Sequence, residues 1–228
     1  MTDPECKPGE GILAPFDGGC DPLLRGLVAL ERAVVLADGR HFYEAAAACD
    51  AILAILDHRR VEPGGGRHRH LRAQVWMCKG RALDGAGHHG EALACLDRAL
   101  FQLSPARPGE AGGAAPEAGD YAQAMSLRGA ALSHLGRPKQ ALATHRRAVS
   151  ELRLMAARHG LGGPSEELAR ALTRQAASLM AAGRAREAEG ALDEAIPIFD
   201  RLVFEPWREE LACELEGALE RRVEARRS

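Results

Sequence analysis

Residues 73–100 read AQVWMCKGRALDGAGHHGEALACLDRAL and contain the clearest helix–turn–helix pattern of the chain. Large and small apolar residues recur at helical spacing on both sides of a turn glycine. They are Trp76, Gly80 and Leu83, then Gly87, then Ala92, Leu96 and Ala99. The small residues Gly80 and Ala92 let two antiparallel helices approach closely, and Gly87 suits the left-handed conformation that ends a helix. The segment therefore predicts two packed antiparallel helices.

The same pattern recurs three more times along the chain. The copies contain Met125, Gly129, Leu132, Gly136, Ala141 and Ala148; Leu172, Ala176, Leu179, Gly183, Ala188, Leu192 and Ala195; and, in a more degenerate form, Ala33, Leu36, Gly39 and Ala45. The second-helix alanines at 45, 92, 141 and 188 lie 47, 49 and 47 residues apart. Repetition at a fixed period is the sequence signature of a helical repeat array.

These residues resemble the tetratricopeptide repeat (TPR) family over roughly residues 21–203, as an extended variant of the usual repeat of about 34 residues. Extended repeats of this length are similar to those of kinesin light chains and of bacterial regulators with helical sensor domains. The resemblance implies an all-α fold, an α-solenoid of about four antiparallel helix pairs plus a C-terminal capping helix.

Local signals predict three segments. Residues 1–20 are rich in Gly, Pro and Asp and are expected to be flexible, residues 21–204 form the repeat array, and residues 205–228 form the capping helix. The last segment is acidic early and basic late, which matches the helix dipole. Pro197 is expected to kink the eighth helix or to divide it after Ile196.

Composition narrows the classes of function. Hydrophobic residues make up 46% of the chain, enough for a core, but aromatic residues only 4%, and the formal charge is −2. No long apolar run and no leader-like N-terminus are present, so we expect a cytoplasmic protein without nucleic-acid or membrane partners. Ala, Arg and Gly usage suggests a GC-rich bacterium. The six cysteines are expected to be reduced and mostly buried in helices.

In the TPR family the first helix of each pair lines the concave face of the array, and this resemblance implies a partner-binding site there. The residues are Leu30, Gln74, Met77, Arg81, Gln123, Leu127, His134, Arg170, Arg174 and Met180. They change from apolar to cationic along the chain, which would suit an extended peptide with a hydrophobic segment and a carboxylate. Arg81, Arg170 and Arg174 are the predicted anchors. The alternative is that these arginines pair with neighbouring glutamates or cap carbonyls.

Histidines and basic clusters suggest two weaker hypotheses. His68 with His70, and His88 with His89, raise the question of a metal site, but neighbouring arginines repel a cation and no carboxylate stands at ligand spacing. We therefore predict no metal, and interpret these histidines as exposed turn and linker residues. The basic clusters RHRHLR and RRVEARR lack interleaved aromatic residues, so nucleic-acid binding is not favoured.

No catalytic motif is present: the sequence has no GxSxG, no HExxH and no glycine-rich phosphate loop after a strand. We predict no enzyme and no cofactor, but a scaffold or adaptor that binds protein or peptide on its concave face, with self-association left open. The alternatives are an accessory subunit of an enzyme and a regulator that senses a ligand or a signalling peptide. A sensor would enclose a closed apolar pocket lined by Leu27, Met77, Leu127 and Met180, whereas a scaffold would present an open, polar-rimmed groove.

Overall fold

The computed structural model describes residues 22–58, 66–104, 115–159, 165–203 and 211–227. Within these ranges the chain forms nine α-helices and no β-strand, which confirms the all-α prediction. The helices are α1 (Pro22–Asp38), α2 (Phe42–His58), α3 (Gly66–Gly85), α4 (His89–Leu103), α5 (Ala115–His134), α6 (Pro138–His159), α7 (Ser165–Ala181), α8 (Ala185–Val203) and α9 (Ala212–Arg227). The predicted flexible segment 1–20 lies outside the described residues.

The first eight helices form four antiparallel pairs. In each pair the two helices contact each other extensively and are joined by only three residues: 39–41, 86–88, 135–137 and 182–184. A connection this short forces the chain to reverse direction, so the apolar stripes of the two helices face each other. The predicted four helix–turn–helix units are confirmed.

Three of the four turns use a glycine in the left-handed region. Gly87, Gly136 and Gly183 have φ of +87°, +70° and +71°. In each turn the next residue donates its backbone N–H to the carbonyl five residues earlier; for His88 and Leu83 the distance is 2.8 Å. This hydrogen bond satisfies a carbonyl at the helix end that has no partner within the helix.

The first turn corrects the sequence prediction by one residue. Arg40, not Gly39, adopts the left-handed conformation, with φ of +64°. Gly39 directly follows α1 and donates its N–H to the carbonyl oxygen of Val35 at 2.9 Å, which is the hydrogen bond of a helical residue. Arg40 stands five residues before Ala45, as the three turn glycines stand five residues before their alanines. The left-handed turn residue therefore keeps its place in the repeat even where that position is not a glycine.

Close contact within each pair depends on the predicted small residues. A Cβ atom at Gly80 would lie 2.8 Å from Cγ of Leu96, and one at Gly129 would lie 2.6 Å from the ring of His145. Because such distances are shorter than van der Waals contact, only glycine lets the paired helices pack this closely at these positions.

The chain divides into two compact units, Met1–Gly113 and Ala114–Ser228, each with a core of its own. The first core includes Ala33, Cys49, Ile52, Leu71 and Val75. The second includes Leu152, Leu172, Leu192 and Phe199, together with Ala218 and Ala225 of α9. Helix α9 packs mainly on α8, as expected of a capping helix. The exact segment boundaries at 204 and 205 stay a prediction.

Two expectations about single residues need correction. Helix α8 is not divided at Ile196: it continues through the exposed Pro197, because Phe199 and Leu202 beyond it are buried and hold the last turns in place. Cys213 is exposed rather than buried, whereas Cys49, Cys78 and Cys95 are buried as expected. Cys6 and Cys20 lie outside the described residues.

In the described part of the chain, no helix has the length and apolar character needed to cross a bilayer.

Candidate functional site

The first helices of successive pairs lie side by side within each unit. Helix α1 contacts α3 in the first unit, and α5 contacts α7 in the second. The predicted site residues of each unit therefore belong to one continuous layer of first helices. We call these two layers the first-helix faces.

In the first unit, the predicted site residues are mostly committed to contacts within the protein. Leu30 and Met77 are buried. Gln74 is half-buried, and Nη1 of Arg81 lies 3.0 Å from Oδ1 of Asp38. Of the predicted apolar residues of this face, Leu30 and Met77 are therefore not presented to solvent, whereas Leu27 is 45% exposed. Met77 does not offer the accessible lining predicted for a sensor pocket.

In the second unit, Arg170 is the most strongly paired of the predicted anchors. Its Nε and Nη2 donate to both carboxylate oxygens of Glu214 in α9, at 2.6–3.0 Å, and Nη1 pairs with Glu166 one turn earlier in α7. Two carboxylates thus surround a half-buried guanidinium. This is the pairing with glutamates that the sequence left open as the alternative, and it connects the capping helix to α7.

Arg174 and its neighbours are more accessible. Nη1 of Arg174 donates to Oγ of the buried Ser126 at 3.2 Å, which links α7 to α5. The other predicted residues of this face keep part of their surface in solvent: Gln123, Leu127 and Met180 are half-buried and His134 is exposed. The second unit therefore presents a mixed apolar and cationic first-helix face.

Beneath this face lies a polar residue that the sequence analysis did not single out. His145 of α6 is 0% exposed, and neither ring nitrogen has a hydrogen-bond partner among the described residues. Burial lowers the pKa of its imidazole from 6.5 to about 3, and the positive charge of Arg174 adds to the effect. The ring is therefore neutral at pH 7.

The first unit also carries an open groove of about 510 Å³. It is bounded by α2 and α4, the second helices of their pairs, with α3 between them. Its lining residues are Asp57, Arg72, Trp76, Asp97, Arg98, Phe101 and Gln102. We call this surface the Trp76 groove.

The Trp76 groove is lined by both aromatic and charged side chains. The guanidinium carbon of Arg98 lies 4.7 Å from the centroid of the Trp76 ring, and Nζ of Lys79 lies 5.8 Å from it. Phe101 is 70% exposed, an unusual state for a large aromatic side chain. Arg72 pairs with Asp57 at the edge. The groove thus combines apolar area with donors and acceptors, as protein-binding surfaces do.

Sequence reasoning assigned Trp76 to packing and missed the rest of the groove. One signal was available: Phe101 lies outside the stripe of Ala92, Leu96 and Ala99 that packs α4 against α3. In a chain with so few aromatic residues, one placed off the packing stripe indicates a surface role.

The histidine pairs make separate contacts. His68 and His70 lie half-buried in α3, not in a linker, and Nε2 of His68 is 3.2 Å from the carbonyl oxygen of Leu56. Nδ1 of His88 lies 3.3 Å from Glu91, and its ring meets Tyr43 edge to face. Nδ1 of His89 is 2.7 Å from Asp84. The expectation that His68 and His70 are exposed linker residues is therefore wrong.

Comparison with known proteins identifies the fold. No protein-family model and no curated protein matches the chain. Among solved structures, a Podosopora anserina protein described as a kinesin light chain with nearly identical TPR-like repeats aligns over 91% of this chain and 92% of its own, with 19% identity and a TM-score of 0.53. A single-substitution variant of that protein aligns over 92% and 93%, with the same identity and TM-score. The chain therefore has the fold of a TPR-like helical repeat protein.

Proposed function

We propose that this chain is a non-catalytic scaffold or adaptor that binds an extended segment of another protein. The observation that carries the proposal is the Trp76 groove, which is open and lined partly by charged residues, as a scaffold requires, rather than closed and apolar, as a sensor pocket would be. The partner we propose for it inserts an apolar side chain beside Trp76 and Phe101.

Physical chemistry supports this choice of partner. Trp and Arg are enriched among the few residues that dominate binding energy at protein interfaces. Arg98 already lies over the Trp76 ring, so its side chain loses little conformational freedom when a partner binds. Covering the exposed Phe101 ring removes apolar area from water, which favours association.

The first-helix face of the second unit is the second proposed contact surface. Leu127 and Met180 supply apolar area, Gln123 supplies an amide, and Arg174 supplies a cation suited to a carboxylate of the partner. Arg170 is assigned instead to holding α9, because two carboxylates already surround it.

The test is an affinity capture from the lysate of the native host, with proteins and small molecules both identified by mass spectrometry. Wild type is compared with Phe101→Ala, with Arg174→Ala, and with the control Tyr43→Ala. Tyr43 is 69% exposed in the same unit but lies outside the groove, so its truncation removes a similar aromatic surface.

A protein captured by wild type and by Tyr43→Ala, but lost with Phe101→Ala, supports the groove. Its affinity, measured by calorimetry with the purified partner, should fall about tenfold or more on Phe101→Ala. If Phe101→Ala and Arg174→Ala each capture the protein as well as wild type does, both proposed contact surfaces are wrong. A small molecule that co-purifies without any protein contradicts the scaffold and favours the sensor.

A further inference from the structure

Helix α1 keeps an apolar face in solvent at one end of the first unit. Leu24, Leu27 and Val35 are 51%, 45% and 70% exposed, and Val28 is half-buried. At about 100° per residue, these side chains project away from Ala33, which is fully buried in the core of the unit. Several large apolar side chains exposed on one side of a helix indicate a contact surface. We call these four residues the α1 face.

The equivalent face is buried where another helix pair precedes it within the same unit. Counted back from the second-helix alanine, Val35 of α1 corresponds to Ala82 of α3 and Ser178 of α7, which are 0% and 3% exposed. Leu24 corresponds to Leu71, which is 2% exposed. Helix α3 is covered by α1 and α2, and α7 by α5 and α6. No described helix precedes α1, so a surface that the repeat normally buries stays open there.

The sequence shortly before α1 contains a segment of matching chemistry. Residues 10–17 read EGILAPFD. Ile12, Leu13 and Phe16 are apolar, as a cover for the α1 face must be, and the run lies between the acidic Glu10 and Asp17. The segment lies outside the described residues, in the part of the chain whose composition predicted flexibility. It combines apolar side chains with negative charge.

Charges beside the α1 face are complementary to this segment. Arg25 and Arg32 lie along one edge of the face, the first half-buried and the second exposed. Glu31 also lies on this side, and Asp38 pairs with Arg81, so positive charge stays in excess. Nε of Arg25 is buried and has no hydrogen-bond partner among the described residues. A carboxylate at this edge would accept that hydrogen bond and offset the positive charge.

The connection is long enough for the contact. Residues 17–21 separate Phe16 from α1 and span at most about 18 Å when extended, whereas Leu24 lies in the first turn of the helix. Two adjacent glycines in this connection favour a turn, so the chain can reverse and run back along α1. An extended run from Ile12 to Phe16 covers about 14 Å, close to the roughly 16 Å along the helix between Leu24 and Val35.

We propose that residues 12–16 pack on the α1 face of their own chain and cover the open end of the first unit. The segment runs antiparallel to the helix, with Phe16 near Val28 and Ile12 near Val35. Terminal repeats of helical arrays need such a cover because no neighbouring repeat buries their outer face. The short tether favours this occupant over a second molecule, since it gives an effective concentration in the millimolar range. The inference is independent of the proposed scaffold function.

The experiment is photo-crosslinking of the full-length protein. The photoreactive amino acid p-benzoylphenylalanine replaces Ile12, Phe16 or, as a control outside the apolar run, Thr2. The irradiated protein is digested with trypsin, which gives peptides 1–25, 26–32 and 33–40, and the links are mapped by mass spectrometry. Within the monomer, the probe at position 16 should link peptide 1–25 to 26–32, and the probe at position 12 should link it to 33–40. The probe at position 2 should give several-fold less of both links.

Val35→Asp tests the face itself, with native helicity checked by circular dichroism. It should reduce the link from the probe at position 12 several-fold, because it places a negative charge in the apolar contact and beside the acidic flanks of the segment. Tyr43→Ala is the control: Tyr43 is 69% exposed in α2 and its ring contacts His88, so the link should persist. The proposal is overturned if the probes link mainly to other helices, if they link two molecules into a dimer, or if Val35→Asp leaves the yield unchanged.

Discussion

His145 occupies a position that carries leucine in two other helix pairs. It lies four residues after the second-helix alanine, as do Leu96 in the second pair and Leu192 in the fourth, and all three are fully buried. The imidazole has two nitrogens without hydrogen-bond partners among the described residues, whereas leucine has no polar atom to satisfy. A buried polar group without a partner lowers stability, so this residue is a local weakness of the core.

We expect His145→Leu to raise the free energy of unfolding at pH 7 by about 1–3 kcal/mol, because it removes unsatisfied polar atoms and keeps a side chain that the equivalent positions accept. Urea denaturation followed by circular dichroism measures this. The reverse change in the same unit, Leu192→His, should destabilise by a similar amount. Equal stabilities of wild type and His145→Leu would show that the imidazole is satisfied in solution.

The same residue predicts a dependence of stability on pH. The folded-state pKa of His145 is lowered to about 3, so in the window from pH 6.5 down to 3 the unfolded chain binds a proton that the folded chain does not. Stability is complete above pH 6.5 and falls as pH decreases, by about 1.4 kcal/mol per pH unit well inside that window. His145→Leu should remove this component. The measurement is the difference in unfolding free energy between wild type and variant from pH 7 to about pH 5, and a constant difference would contradict it.

At the scale of the elements, the four turns show how far local sequence predicts local structure. The glycines at 87, 136 and 183 identified three turns correctly, because only a residue without Cβ adopts positive φ at low cost. Arg40 was missed because arginine gives no such signal. There the backbone follows the geometry of the repeat, and the strain is compensated by the packing of α1 against α2.

We expect Arg40→Gly to stabilise the protein by about 1 kcal/mol, since it relieves the left-handed strain at φ +64°. Gly87→Ala, with φ +87°, should destabilise by a similar amount for the opposite reason. Thermal unfolding of both variants measures the shifts. If Arg40→Gly lowers the midpoint, the arginine side chain contributes more than its backbone strain costs.

The capping helix provides a second test at this scale. Arg170 is held by Glu214 of α9 and by Glu166, with its side chain only 29% exposed. We expect Arg170→Ala to lower the free energy of unfolding by about 1–3 kcal/mol, because it leaves two partly buried carboxylates without their cation. Arg153→Ala, which breaks the exposed pair with Glu194, should cost less than about 1 kcal/mol. Chemical denaturation of the two variants side by side makes the comparison, and equal losses would contradict the bridging role of Arg170.

At the scale of the whole molecule, the repeat period predicted the helix pairs but not which of their surfaces form the candidate binding site. The alanine spacing of 47, 49 and 47 residues fixed four pairs and their pairing partners. Apart from the position of Phe101 off the packing stripe, the sequence carried no signal for the Trp76 groove, because Asp57, Arg72 and Arg98 come from three helices and share no motif. The sequence likewise did not predict which glutamate pairs with Arg170 across helices, because Glu214 lies 44 residues later in another helix.

The two compact units predict separate folding. The unit Ala114–Ser228 has two helix pairs, a continuous core and helix α9, whose Ala218 and Ala225 complete that core. We expect a fragment of these residues to show helical circular dichroism and a cooperative thermal transition, since a chain of this size buries enough apolar surface to fold alone. The fragment Met1–Gly113, with two described pairs and no such helix among its described residues, should melt at a lower temperature. A non-cooperative transition of the longer unit would contradict this.

The ring of Trp76, which lies close to Arg98 and Lys79, also makes the groove an optical reporter. The chain has only two tryptophans, and replacing Trp207 by phenylalanine leaves the indole of Trp76 as the sole long-wavelength emitter. Because indole emission responds to nearby water and charge, a molecule that enters the groove changes the wavelength and the intensity of Trp76 emission. No attached dye is needed. Occupancy of the groove becomes a quantity that a simple fluorimeter follows in real time.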